Sequence, residues 1–377
     1  MTRIDRYILS EFARVFLICF LTFLGLFIVT DFVNNLDELI DHGKTNGGLP
    51  RTLFDFYGPK VPWFFDLISR IVALVAAVFA VTSLQRNNEM ASMMAAGISR
   101  WRIVKPLILG VLAIAIFGAL NRELLIPKLG AKTTRDARNI AGKSEEEFRS
   151  QYDHASGIFI DAKGIVPATR TITDLSLSLP TSIAQRGTKL RAPSARHIQA
   201  QGEIPNGLLM VGVAMDKVGF GQSIKHKDQR VAVYHPNDTP WLKADQLFVP
   251  TDLPFQQLQD GTSWRQHASI FSLVSNARNE SLDSGADVSV AIHRRVLQPV
   301  MDMIVLFLGI PVVLSRESRN AFVAVGSCML VVALFVIATL ASHGAGMNYL
   351  ISPSLAVWLP VMIFVPVAVL MSEPLRR

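Results

Sequence analysis

Cysteine is almost absent: Cys19 and Cys328 are the only two in 377 residues. Both fall inside long apolar runs, where a reduced thiol acts as a small hydrophobe, so neither a disulfide framework nor a cysteine metal site is expected. A phosphate-binding loop is missing as well. Gly43-Lys44-Thr45 lacks the upstream glycine that a G-x-x-x-x-G-K-[ST] loop needs to cradle phosphate at a helix N-terminus, so the chain carries no ATPase motif of its own. There is no H-E-x-x-H and no G-x-S-x-G, and the eight histidines are scattered without ligand spacing. No catalytic residue, metal or cofactor is therefore expected.

Charge is scarce at the two ends of the chain, and this decides the class. A helix crosses a bilayer core with roughly 20 mostly apolar residues. Runs of that kind occupy 15–30, 61–84, 103–120, 296–314, 321–341 and 354–371, while the middle of the chain has the composition of water-soluble protein. Ahead of the first run, Ile4, Tyr7, Ile8 and Phe12 recur at helical spacing opposite Arg3, Asp5, Arg6 and Glu11, which predicts a short amphipathic helix in the headgroup region. No small-residue cleavage site follows, and the segment is expected to be retained. Asp66 and Arg70 stand one helical turn apart near the start of the second run and are expected to pair. Asp302 lies early in the fourth.

The net charge of +7 is no sign of nucleic acid, because the basic residues gather at helix ends and short loops. One set of segments holds Arg3, Arg6 and Arg14, then Arg86, Arg100, Arg102 and Lys105, then Arg316 and Arg319, then Arg376 and Arg377. The opposite set holds Lys44, Arg51 and Lys60 and none in 342–353. The positive-inside rule places both termini in the cytoplasm and the middle region outside it. The expected fold class is a membrane α-helical bundle of six transmembrane helices, arranged 3+3, with an inserted all-β domain. Its parts are an N-terminal transmembrane half at 1–120, a β-rich region with helical connections at 121–292, and a C-terminal transmembrane half at 293–377.

Within the insert, 157–165, 171–179, 196–201, 207–214 and 241–249 alternate or are β-branched. Turn-formers such as Pro180, Pro193 and Pro205-Asn206-Gly207 separate them, which predicts a sandwich or jelly roll. Residues 121–150 are expected to prolong the third span, and 270–281 to return toward the membrane as a helix or loop.

The loop 85–98 between the second and third spans is rich in helix formers. It has an expected cap at Asn87 or Asn88, Glu89 in the first turn, where its charge suits the helix dipole, and Gly97 as a stop. Met90, Met93, Met94 and Ile98 form an apolar stripe. Such a stripe serves equally to dock into another protein or to pack on its own bundle.

The stretch from Glu89-Met90-Ala91 through Ala96-Gly97-Ile98-Ser99 resembles the coupling-helix signature of the lipopolysaccharide-export permease family, the LptF/LptG type. Asp5-Arg6-Tyr7-Ile8 resembles that family's opening. Asn121-Arg122-Glu123 with Pro127 resembles the N-x-E-x-x-x-P exit of its third span, and the segment from Pro353 to Pro360 its P-x-L-A-x-W-L-P sixth span. The first span lacks the basic residue that some members carry near its outer end. The resemblance implies the permease subunit of an ATP-driven exporter that lifts lipopolysaccharide from the inner membrane. It implies as partners a cytoplasmic ABC ATPase, which binds the ATP, a second permease or second copy of this chain, and a periplasmic bridge of similar β-folds. It also implies that Arg86, Glu89, Met90, Met93, Met94 and Gly97 couple to that ATPase. From spacing alone, Lys128, Lys132 and Arg135 share one face of the helix prolonging the third span. That face is either a contact for phosphorylated headgroups or a solvated face neutralised by Asp136 and the acidic Glu145, Glu146 and Glu147. Two other functions fit a polytopic chain: an ion-coupled secondary lipid transporter relying on Asp66, Arg70 and Asp302, and a membrane-anchored envelope assembly factor.

Overall fold

A computed structural model of the chain describes residues 3–45, 47–133, 137–140, 143–183, 188–202, 204–226, 230–283, 285–314 and 321–373. Arg135, Asp136, Arg316, Arg319, Arg376 and Arg377 lie outside the described residues. The chain divides into two compact units, one of Met1–Leu129 with Gly285–Arg377 and one of Gly130–Ser284.

The first unit opens with α1 (Arg3–Asn34), α2 (Leu36–Thr45), α3 (Leu49–Tyr57), α4 (Lys60–Arg86), α5 (Glu89–Ala95) and α6 (Arg100–Leu120). The expected short amphipathic helix leading into the first span forms the first turns of α1. No proline or glycine precedes Gly25, and in lipid an unbroken helix satisfies its own backbone groups. Ile8, Phe12 and Phe16 form its buried stripe. The α2–α3 pair was not foreseen. Its residues Leu39, Phe56 and Tyr57 are buried, Tyr57 donates a 2.9 Å hydrogen bond to Asp31 Oδ2, and Lys60 Nζ sits 3.5 Å over the Phe56 ring. Ser99 caps α6 by accepting the Arg102 amide, and α6 runs on through a π-turn, Asn121–Leu125, into α7 (Ile126–Thr133).

The second unit carries β1 (Glu146–Glu147), β2 (Gln151–Asp153), β3 (Ile158–Asp161), β4 (Gly164–Val166), β5 (Thr171–Ser178), β6 (Lys189–Ile198), β7 (Gly207–Val211), β8 (Ile224–Lys225), β9 (Val231–Val233) and β10 (Gln246–Pro250). Eight of them form one antiparallel sheet ordered β1-β4-β5-β6-β7-β10, in which β3 also pairs with β5 and carries β2, while β8 and β9 form a separate ribbon. Alternation buries one set of side chains, Ile158 and Ile160 on β3, Ile172, Leu175 and Leu177 on β5, and Leu190 and Ala192 on β6. Buried Asp153 closes a tight turn, its Oδ1 accepting the Ala155 amide and its Oδ2 the Thr251 hydroxyl. β6 is longer than the expected 196–201. Pro193 sits inside it where the β5 register skips Asp174 and before β7 pairing begins at Ser194, so no ladder bond needs its missing N–H. Three short helices follow, α8 (Phe255–Asp260), α9 (Trp264–His267) and α10 (Ile270–Asn276).

The chain returns to the first unit as α11 (Ala286–Leu314), α12 (Ala321–Met347) and α13 (Pro353–Met371). Among the described residues, six helical segments are long and apolar enough to cross a membrane: Arg3–Asn34, Lys60–Arg86, Arg100–Gly130, Ala286–Leu314, Gly326–Met347 and Pro353–Met371. Small residues set their approach, as helix contacts in lipid rely on packing rather than hydrophobic drive. A Cβ on Gly110 of α6 would lie 2.8 Å from the Phe12 ring of α1, and one on Gly309 of α11 only 2.5 Å from Leu74 of α4. Alanine at either would push the facing Phe12 or Leu74 side chain aside. The shared core takes in Val72, Leu74 and Val78 of α4, Leu107 of α6, Met301 and Val305 of α11 and Val357 of α13.

Candidate functional site

The loop helix α5 is short and sharply bounded. Asn88 stands at its N-cap with φ 58°, and its side chain makes no capping hydrogen bond. The expected side-chain cap is thus replaced by a left-handed turn, a conformation asparagine tolerates better than most residues, which swings the chain out of α4. At the other end Gly97 (φ 81°) donates to Met94 O at 2.9 Å, and Ile98 donates to Met93 O at 3.0 Å. That is a Schellman closure, whose usual apolar contact is supplied by Met93 and Ile98, both packed against the bundle core.

The methionine stripe divides. Met90 is 5% exposed inside its own bundle and Met93 is half-buried, whereas Met94 is exposed together with Ala91, Ser92, Ala95 and Ala96. Met90 therefore anchors α5 and is no outward contact, because i and i+3 positions share the face turned to the core while i+4 rotates toward its edge. Arg86 is exposed at the last turn of α4, where a cation suits the helix dipole. Glu89 accepts a 3.3 Å hydrogen bond from the Tyr7 hydroxyl, and Arg102 pairs with Asp5 at 3.3 Å. The first turns of α1 thus hold both ends of the segment from Glu89 to Arg102. Sequence reading missed Asp5, Tyr7 and Arg102 as a group. Its only traces were the polar face of the amphipathic helix start and the Asp5-Arg6-Tyr7-Ile8 run.

Inside the bundle, three guanidinium groups meet three carboxylates. The expected Asp66–Arg70 pair on one helix is corrected. Asp66 is held by Arg122 of the π-turn, with Nε at 3.0 and 3.2 Å from its two oxygens, and Arg70 Nε lies 2.6 Å from Asp302 Oδ1 on α11. Gln298 donates to the same Asp302 oxygen at 3.0 Å, Arg295 Nη1 stands 3.6 Å from Glu123 Oε1, and Asn121 Nδ2 donates to Pro62 O at 2.8 Å. Arg122 holds the Asp66 carboxylate with two guanidinium nitrogens, the bidentate geometry that makes such pairs strong, which leaves Arg70 to approach Asp302 on α11. The Asn121-Arg122-Glu123 run thereby ties α6 to α4 through its first two residues and to α11 through its third. Such groups are expensive in a membrane bundle unless paired, and here every carboxylate of the cluster has a cation.

Lys128 and Lys132 are both exposed on α7. Arg135 lies outside the described residues.

No group of three or more metal-ligating side chains is found among the described residues. A search of curated proteins gave no match. A family model described as lipopolysaccharide export system permease LptF/LptG matches residues 6–373, taking in α1 with its Tyr7, the α5 loop, the charged cluster and the sheet unit alike. The chain belongs to the LptF/LptG family of lipopolysaccharide export permeases.

Proposed function

We propose that this permease is the membrane half of an ATP-driven exporter in which a separate cytoplasmic ATPase grips α5. The single observation carrying this reading is how α5 is mounted. Met90 and Met93 fasten it to the bundle core, while Glu89, Met94 and the small residues around Ala95 stay at the surface. A helix held that way transmits a push: displacement of α5 is passed to α4 and, through Tyr7 and Asp5, to α1. Arg86, Glu89, Met94 and Gly97 are then the coupling surface, with Met90 and Met93 beneath them.

In this reading both termini are cytoplasmic and the protein is a multi-pass component of the inner membrane. The sheet unit lies in the periplasm, has a jelly-roll character and hands the lipid to a bridge of similar β-folds. A second permease of the same family, or a second copy of this chain, completes the bundle. Lys128 and Lys132, with Arg135 beyond them, offer cations to phosphorylated headgroups, whose attraction reaches about one Debye length, roughly 8 Å at physiological salt. Ion coupling is disfavoured by the pairing of Asp66, Asp302 and Glu123, which leaves no carboxylate of that cluster without a guanidinium.

The test is copurification. The wild-type chain should bring along an ATP-binding subunit, and Met94→Glu on the α5 surface should release it without loss of the permease from the membrane. Retention of the ATPase by that variant, or purification of a functional exporter without any ATPase, would overturn the proposal.

A further inference from the structure

A cleft of about 860 Å³ opens in the sheet unit. It lies where the β4–β5 turn and the end of β6 face the chain entering α8 and the turn after α10. Its size falls among ordinary small-molecule sites. Arg170 and Arg278 line it, and neither has a carboxylate partner among the described residues. Arg230 and Glu280, also at the rim, stand 3.6 Å apart and neutralise each other, while Asp252 accepts from Asn206.

Arg170 is set in place. Its φ of 52° is uncommon for a residue with a side chain, its carbonyl accepts the His197 amide at 3.2 Å, and its guanidinium lies 5.7 Å from the centre of the Phe255 ring. His197 is 6% exposed. Its Nε2 faces Leu253 O at 3.1 Å and so carries the proton, which leaves Nδ1 as an acceptor with no partner among the described residues. Burial holds this imidazole below its ordinary value, with the nearby Arg170 charge acting the same way, so the neutral form persists at pH 7.

Two unpaired guanidinium groups, an apolar ring and the exposed amides of Gln199 and Gln256 together match one ligand chemistry: phosphate on a hydroxyl-bearing, partly apolar frame. We propose that this cleft binds a phosphorylated saccharide, Arg170 and Arg278 taking the phosphate and Phe255, Gln199 and Gln256 the sugar. Such a group arrives either on a lipopolysaccharide or as a free sugar phosphate. Only the first source rests on the export reading.

The experiment titrates the full chain in nanodiscs, by calorimetry, with delipidated phosphorylated core oligosaccharide, its dephosphorylated form, glucose 6-phosphate and glucose. The phosphorylated oligosaccharide should bind. The Arg170→Gln/Arg278→Gln double variant should lose about tenfold or more in affinity, as expected for charge-assisted hydrogen bonds. The dephosphorylated form should bind weakly to both proteins, and Arg170→Lys should keep part of the affinity. Equal binding of glucose 6-phosphate and oligosaccharide keeps the site and assigns it to the free ligand. Unchanged affinity in the double variant, or no binding of either phosphorylated probe to wild type, sinks the proposal. Lipopolysaccharide export is scored in parallel in cells that keep every other export component and carry this chain as their only copy of it. Export without probe binding rejects the cleft alone, and probe binding without export rejects the export reading alone.

Discussion

Replacing Asp302 by leucine strands the Arg70 guanidinium in the bundle, and the stability lost is expected to be about 3 kcal/mol. The two groups are 2.6 Å apart at their nearest atoms, with the carboxylate side chain 15% exposed and the guanidinium 31%. Unit charges with centres about 3–4 Å apart attract by roughly 4–5 kcal/mol at an effective dielectric near 20. Desolvation of both groups offsets most of that, so the pair itself adds little. Removing one partner is different, because the orphaned charge keeps its desolvation cost, about 3–5 kcal/mol in buried settings. The partial exposure of Arg70 puts this case at the lower end. The double variant Arg70→Met/Asp302→Leu should therefore recover to within about 1 kcal/mol of wild type, a coupling energy of about 2 kcal/mol or more. The Asp66/Arg70 cycle should give less than about 1 kcal/mol, because Asp66 is already engaged by Arg122. Equilibrium unfolding in mixed micelles over a denaturant series measures each variant. Additive losses for Arg70 and Asp302, or a larger coupling between Asp66 and Arg70, would refute the pairing across helices.

Glu89→Lys replaces the acceptor of the Tyr7 hydroxyl with a cation on the α5 surface, and should abolish lipopolysaccharide export while the protein remains in the membrane. Wild-type export by that variant would remove Glu89 from the coupling surface. A reporter fused after Gly164 should be active only outside the cytoplasm, and one after Glu317 only inside. A cytoplasmic signal from the first fusion would invert the layout. Burial, with the Glu146 charge adding to it and Arg149 opposing, raises Asp260 from 3.8 to about 6. The folded chain holds that proton where the unfolded chain has lost it, so stability falls as pH rises from about 4 to about 6. Asp260→Asn should flatten this slope and leave the chain more stable at neutral pH. Parallel melting-temperature profiles for variant and wild type would show that Asp260 is not responsible.

Local patterns carried much of the fold. The spans could be read because membrane insertion depends on the length of an apolar run, a property of neighbouring residues. Strands β5, β7 and β10 showed because a half-buried strand alternates with period two. The sequence misled where a local rule had a tertiary exception. Pro193 looked like a strand boundary, yet the sheet leaves its position without a required donor. The α2–α3 pair is too short to read as a span, and contacts such as Tyr57 to Asp31 and Lys60 over Phe56 help define it.

The candidate site divides along the same line. Gly97 ends α5 by a backbone conformation that glycine alone adopts freely, and that could be seen in the residue itself. Which methionine faces inward could not, since Met90, Met93 and Met94 are chemically equal and only the path of the chain out of Asn88 decides which of them meets the core. The charged cluster is the clearest case. Sequence by itself placed Asp66, Arg70 and Asp302 within apolar runs, where an unpaired charge is too costly, while Arg122, Glu123 and Arg295 stand at the ends of such runs and drew no such reading. Who pairs with whom was decided only by the packing of α4, α6 and α11. Coulomb attraction acts through space, and the nearest opposite charge here lies on another helix rather than one turn along the same one.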